Sequence, residues 1–382
     1  MFDFEEDGIE NEEGNEDIKI ENPFNPNDIS INIVTRTIGQ LIDMLRYDEI
    51  IIPPYQRLPN LWKVKQKSRF IESLMLNLPI PLFYFDEAED KKWRVIDGLQ
   101  RISTLEHFVL GGMKDQTLSG NKNALILDDL EFKTEFNGKT WEGTQGLPRE
   151  IQRRIEVCKV TINLIQKGTP EEVKYSIFSR INQGGIELKA QEIRTALFQG
   201  YKVDFIKELV SPNTTMGKSF TLATNNSVPT KRQADLDFAT RFISFYILGY
   251  EHYEPDMDLF QIKGTKSIPT ESTKLIKISQ SFQQAMLLAH NIFGNDAFRK
   301  TNKVKVRKIN KPLFEIISVC FAQLNSLEQD KLLNKKDDFV LAFNELQNDE
   351  TFWNAITTGT ASKESVKKRH EKFRNLINPF IK

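Results

Sequence analysis

Trp93-Arg94-Val95-Ile96-Asp97-Gly98-Leu99-Gln100-Arg101-Ile102-Ser103-Thr104-Leu105 is the stretch on which the fold turns. Its first half is aromatic and branched, the chemistry of a strand, and its second half has helical spacing. Asp97-Gly98 between them lets the chain turn sharply. A helix running from about Gln100 to about Val109 aims its first-turn N–H groups and the positive end of its dipole at that turn. In outline this is an anion site. Arg101 adds a guanidinium fork for phosphate oxygens, Gln100 a group that orients a water or an oxygen, and Asp97 a carboxylate for a divalent ion such as Mg²⁺. The plainer alternative makes Asp97 a helix cap and Arg101 a surface charge.

Working outward, 82–86 and 92–97 read as a β-hairpin around the polar turn Glu87 to Lys91. Residues 65–77 read as an amphipathic helix with Phe70, Ile71, Leu74 and Met75 inward, stopped by Leu78-Pro79-Ile80-Pro81. Ile50 to Ile52 is a short apolar run, and Thr37 caps a helix with Ile38, Leu41, Ile42 and Leu45 on one face. Downstream, 111–147 is an excursion with short strands expected at Leu125–Leu127 and Phe132–Phe136. Val157 to Ile165 alternates as a strand does. Thr169-Pro170-Glu171-Glu172 starts a helix that reaches Ile181, and Lys189 to Phe198 resumes helix after Asn182-Gln183-Gly184-Gly185. Beyond residue 200, amphipathic helices are expected at 231–248, 272–292, 311–325, 336–346 and 362–377. The expected organisation is an acidic disordered tail over 1–30, an α/β domain over 31–210 and an all-α domain over 211–382.

The net charge of −1 hides an asymmetry. Residues 1–30 hold eleven acidic residues against Lys19 alone, which leaves the remainder at about +9. Either the tail is simply solvated, or it covers a basic ligand surface of the same chain by Coulomb attraction. No apolar run is long enough to span a bilayer, and the acidic N-terminus is the wrong chemistry for a signal peptide, so a cytoplasmic location without membrane contact is expected. Cys158 and Cys320 lie far apart in apolar runs and read as buried thiols.

Three further clusters carry possible chemistry. Pro54-Tyr55-Gln56-Arg57 followed by Trp62 offers stacking faces and donors suited to a base; alternatively Tyr55 and Trp62 plug the core. Asn182, Gly184 and Gly185, with Glu192 and Arg194 beyond, combine a glycine pair that permits close approach with groups that meet a sugar or a phosphate; a plain helix end with exposed charges is the alternative. Arg299, Lys300, Lys303, Lys305, Arg307, Lys308 and Lys311 put seven cations in thirteen residues, a pattern that suits DNA and equally a soluble loop. The motifs of P-loop NTPases, serine hydrolases and zinc proteases do not occur, and the four histidines have no ligand spacing.

In this order the clusters resemble the N-terminal domain of the GmrSD restriction endonuclease family, which is similar in fold to ParB and sulfiredoxin. Pro53, Tyr55, Gln56, Arg57 and Trp62 match its P-x-Y-Q-R segment and following Trp. Ile71-Glu72-Ser73 through Pro79 and Pro81 match its proline-terminated helix. Asp97-Gly98-Leu99-Gln100-Arg101, with Leu105, matches its D-G-Q-Q-R and L-x-T-L hallmark; Phe178, Ile181, Asn182, Gly184 and Gly185 match F-x-x-I-N-x-G-G, and Glu192-Ile193-Arg194 the E-I-R after it. Full-length members add an H-N-H-type nuclease. Only His370 lies near this C-terminus, in a helical-looking stretch, so no nuclease site is expected in this chain.

The resemblance implies a nucleoside-triphosphate site using Mg²⁺, with Asp97, Gln100 and Arg101 in catalytic roles. Tyr55, Gln56, Arg57, Trp62, Gly98, Leu99, Thr104, Asn182, Gly184, Gly185, Glu192 and Arg194 line it. It implies a nucleotide-binding sensor subunit of a phage-defence or modification-dependent restriction system, acting on DNA with a separately encoded effector nuclease. Leu99 replaces the first glutamine of the hallmark, so binding and NTP hydrolysis are separate expectations. The alternatives are a non-enzymatic ParB-like DNA-binding module and an antitoxin-like partner protein.

Overall fold

A computed structural model describes residues 8–10, 30–51, 62–88, 91–111, 123–181, 189–198, 200–301 and 308–382. The chain forms two compact units. One is Phe24–Leu188; the other joins Met1–Pro23 to Lys189–Lys382. Together they are a mixed α/β unit and an all-α unit, as the sequence pattern predicts.

The α/β unit is built on a five-stranded mixed sheet. Its strands are β1 (Ile31–Thr37), β2 (Ile50–Ile51), β3 (Phe83–Glu87), β4 (Trp93–Asp97) and β5 (Lys159–Ile165), in the order β1-β5-β3-β4-β2. The β3–β4 hairpin is antiparallel, as its alternation predicts, while β5 joins β3 and β2 joins β4 in parallel. Helix α1 (Ile38–Arg46) starts with a capping box in which Thr37 and Gln40 bond each other's backbone, and it buries Ile38, Leu41, Ile42 and Leu45. Helix α2 (Val64–Met75) buries Phe70, Ile71, Leu74 and Met75. Helix α3 (Leu99–Leu105) runs into a π-helical turn, Glu106–Leu110; α4 (Arg149–Val157) and α5 (Glu171–Ile181) complete the unit.

Three local expectations are corrected. Strand β1 was not anticipated, because only one of its edges is paired and Ile33 stays exposed, so it lacks a buried alternating face. No strand forms at 125–127 or 132–136. There the buried Glu72 carboxylate accepts the N–H groups of Glu131, Phe132 and Lys133 at 3.1, 2.7 and 2.8 Å, which replaces a sheet ladder. Helix α4 was missed because it buries only Ile151 and Ile155 among many charges.

The all-α unit holds α6 (Ala190–Leu197), α7 (Tyr201–Val210), α8 (Thr215–Ala223), α9 (Ala234–Leu248), α10 (Met257–Lys266) and α11 (Ser272–Phe293), then α12 (Lys311–Ala322), α13 (Ser326–Asn334), α14 (Lys336–Leu346), α15 (Glu350–Thr357) and α16 (Lys363–Ile381). Its start at Lys189 lies upstream of the boundary expected at 211. Helices α7 and α8 lie on either side of that expected boundary, and Phe205, Ile206, Leu209 and Phe220 from them belong together in this unit's core.

The N-terminal segment also departs from the reading of 1–30 as a tail. Ile9 is buried in the helical core and pairs with Ile309; of residues 1–30 only 8–10 and 30 are among the described residues. At the centre of the unit the Glu315 carboxylate accepts bonds from Arg241, Arg369 and His370 at 2.8–2.9 Å. Burial alone raises its pKa, but these partners outweigh burial and hold the carboxyl far below its usual range.

Candidate functional site

Strand β4 ends at Asp97, and Gly98 turns the chain with φ +99°. Both the backbone angle and the space require glycine there, since a Cβ would come 2.5 Å from the Phe83 ring. The helical ladder opens with Ile102 N–H donating to the Gly98 carbonyl at 2.9 Å. Gln100 points back toward α2, and its Oε1 accepts the backbone N–H of Trp62 at 3.2 Å. Trp62 and the helix start after the Asp97 turn, far apart in sequence, are therefore joined directly. Trp62 is further held edge-on against Phe70, with ring centroids 5.9 Å apart.

Arg101 does not present its fork outward. It is buried, donates to the carbonyls of Pro81 and Leu82 and to Asp97 Oδ2 at 2.9 Å, and lies 4.4 Å from the Phe83 ring centre. Its role as a phosphate fork is corrected to that of a brace that fixes the turn on β3. The same pair bears on metal binding. Asp97 Oδ2 is engaged, and a guanidinium this close repels a divalent cation. No group of three or more His, Cys, Asp or Glu side chains among the described residues is arranged to hold a metal. These residues do not fit a resident Mg²⁺ at Asp97.

Thr104 is fully buried and donates to the Gln100 carbonyl at 2.6 Å, so it is a helix-backbone contact, not a ligand. Leu99 packs against the α/β core. Tyr55, Gln56, Arg57, Asn182, Gly184 and Gly185 lie outside the described residues.

Glu192 and Arg194 belong to the all-α unit, where they form an internal network. Glu192 takes Arg232 at 2.7 Å and the Lys189 N–H at 2.8 Å. Arg194, 1% exposed, meets Asp237 at 2.5 Å and Asp258 at 2.7 Å. A phosphate role for Arg194 is corrected accordingly, since leaving these carboxylates strands charge in the interior. Of the basic segment, Arg299 is buried and donates to the carbonyls of Asn295, Ala297 and Thr224 and to Ser227 Oγ, so it is not a DNA contact. Lys300 meets Glu10, Lys311 meets Asp237 and Lys308 is half-buried; Lys303, Lys305 and Arg307 lie outside the described residues.

Sequence reasoning missed one polar centre between α2 and the π-helical turn that follows α3. Lys67, almost fully buried on α2, has its Nζ 3.2 Å from His107 Nδ1, and His107 Nε2 donates to the Asn123 carbonyl at 2.8 Å. That carbonyl fixes the proton on Nε2, so the ammonium donates to Nδ1. Burial pushes both the lysine and the histidine down, and for His107 the Lys67 charge adds to it. A signal existed: Lys67, Phe70, Ile71 and Leu74 share the inward face of α2. Two clefts of the α/β unit lie away from the Asp97 turn. One of about 750 Å³ is lined by residues including Arg36, Gln40, Glu49, Lys92 and Trp93, at the end of β4 away from Asp97.

A helix following a glycine turn at a sheet end, joined to an aromatic-bearing segment, defines a small α/β module with a polar turn as its focus. Residues 38–199 match the family model of the GmrSD restriction endonuclease, N-terminal domain, so this part of the chain is similar to that domain. No curated protein and no solved structure matches the chain. Among the described residues the all-α unit has no strand, hence no ββα finger, and His370 is buried between Tyr250 and Phe245 with Nε2 on Glu315. No described helix is long and apolar enough to cross a membrane.

Proposed function

We propose that the chain is a nucleotide-responsive subunit of a DNA restriction or phage-defence system. The turn Asp97–Gln100 and Trp62 face the phosphates and the base side of one nucleotide, and a separately encoded nuclease acts as effector. The observation that carries this reading is the Gln100–Trp62 hydrogen bond, which joins a stacking residue to the head of a helix whose dipole favours anions. The nucleotide arrives as its Mg²⁺ complex, the metal belonging to the substrate and not to a resident site.

In this reading Arg101 acts through Asp97: it holds the carboxylate in place without touching phosphate. Tyr55, Gln56 and Arg57, a few positions before Trp62 in sequence, and Asn182, Gly184 and Gly185 are proposed as further nucleotide ligands on the motif's order alone. Leu99 supports binding with slow turnover, because an apolar side chain stands where the family hallmark carries an amide able to orient water.

Melting curves with ATP, GTP, CTP and UTP, each with Mg²⁺, together with a phosphate-release assay test the proposal. A bound nucleotide raises Tm with ligand excess, by about 2.7 kcal/mol of added stability at a hundredfold excess over Kd. Gln100→Ala removes that rise. Flat curves with all four nucleotides would sink the reading.

A further inference from the structure

Residues Gly8-Ile9-Glu10 form a strap on the helical unit. Ile9 pairs with Ile309 in parallel; Glu10 N–H donates to the Ile309 carbonyl at 2.9 Å, and Ile309 N–H to the Gly8 carbonyl at 2.8 Å. Ile309 also bridges to Arg299 on its other side. Three features make the seat specific. Gly8 has φ +110°, and a Cβ there would come 2.3 Å from the Ser227 carbonyl oxygen. Ile9 is 3% exposed within the core. The Glu10 carboxylate accepts from Lys300 Nζ at 2.9 Å and from Asn310 Nδ2 at 2.9 Å.

That carboxylate occupies a built anion site. Asn310 is 3% exposed, and its Oδ1 caps α12 by accepting the Leu313 N–H, so Glu10 lies beside the positive end of a twelve-residue helix. Lys300 is 13% exposed and is also held 5.1 Å from the Trp353 ring centre. A side-chain amide, an oriented ammonium and a helix start are the groups that bind a phosphate oxygen. The surrounding sequence has opposite signs on the two sides. Residues 1–30 carry eleven acidic groups, whereas Lys300 to Lys308 carry five cations.

We infer that Glu10 is a tethered stand-in for a backbone phosphate of a nucleic acid, held in the Lys300–Asn310 site until a polyanion displaces it. The acidic N-terminal segment thereby sets a threshold for nucleic-acid binding by the helical unit. This inference does not depend on the nucleotide reading, which concerns residues of the other unit. The competition is electrostatic, so it weakens with salt together with the binding it opposes.

The test is fluorescence anisotropy of a labelled 20-mer duplex with the full chain, at about 50 mM and about 200 mM salt. Glu10→Gln keeps the backbone strap and removes the charge. Its affinity is expected to rise about twofold to fivefold at the lower salt, the range that a single partly exposed charge pair spans. Ile9→Asp, which unseats the strap, raises it at least as much, and circular dichroism confirms that the helices remain. In Lys300→Met the gain from Glu10→Gln disappears. Glu12→Gln controls for net charge and leaves affinity near wild type. Equal affinity in wild type, Glu10→Gln and Ile9→Asp overturns the inference. So does a gain from Glu12→Gln as large as that from Glu10→Gln, or a gain that persists without Lys300.

Discussion

Gln100 reaches back 38 positions in sequence to accept the backbone N–H of Trp62 at 3.2 Å. The contact ties the entrance of α2 to the start of α3, so the orientation of Trp62 and the shape of the Asp97 turn are set together. Gln100→Ala leaves the Trp62 N–H without this acceptor and is expected to lower stability by about 1 kcal/mol. Urea denaturation followed by tryptophan fluorescence checks it; unchanged stability with an unchanged emission maximum shows that the bond does not hold Trp62.

Gly98→Ala meets two obstacles at once, a positive φ and the Phe83 ring. The expected loss is about 1–3 kcal/mol from backbone strain, with a further penalty from the contact. Thermal melting reads the effect, and Gly98→Val is expected to be worse than Gly98→Ala.

Arg101→Met leaves the Pro81 and Leu82 carbonyls without their donor and Asp97 without its counter-charge. A loss of about 3 kcal/mol is expected, the lower end for breaking a buried pair, because Asp97 is partly exposed. Arg101→Lys recovers little, since an ammonium cannot meet two carbonyls and a carboxylate in one plane. Full rescue by lysine would show that charge alone, not the fork, fixes the turn.

Acid is expected to weaken the helical unit. Burial raises the Asp237 carboxyl, but Lys311 and Arg194 outweigh burial and leave it at about 2. A carboxylate depressed in the folded state contributes stability above its unfolded pKa near 3.9 and loses it as pH falls toward the folded value. Asp237 therefore supports about 2 kcal/mol that fades between about pH 4 and about pH 2, and the depressed Glu315 adds to the loss in the same direction. Denaturation midpoints measured from pH 6 down to about pH 3 check the slope; Asp237→Asn should flatten it.

Both cysteines should resist alkylation in the native state. Burial pushes the Cys320 thiol up to about 12 and raises Cys158 as well, so little thiolate forms at neutral pH. Mass spectrometry after iodoacetamide treatment is expected to show modification only in denaturant. Rapid native labelling of Cys320 would mean that α12 opens readily.

The sequence by itself determined the elements whose signals are local. Thr37 and Gln40 write a capping box within four residues, Phe70 to Met75 repeat at helical spacing, and Gly98 marks the turn between a strand and a helix. Periodicity and capping depend on neighbours in the chain, so they survive without a fold. The same holds for the motif order that identifies residues 38–199.

Only the tertiary structure decided where the long charged side chains point. Arg101 turns onto Pro81 and Leu82, Arg194 onto Asp237 and Asp258, and Arg299 onto Thr224 and Ser227. In sequence all three read as ligands for phosphate; in the fold all three satisfy buried oxygens. Gly8 to Glu10 read as part of a tail, yet they hold a place in the helical core because Ile309 and Lys300 come from the far end of the chain. A cation's direction is set by whichever oxygens the fold buries beside it, and those oxygens are distant in sequence, where no local pattern records them.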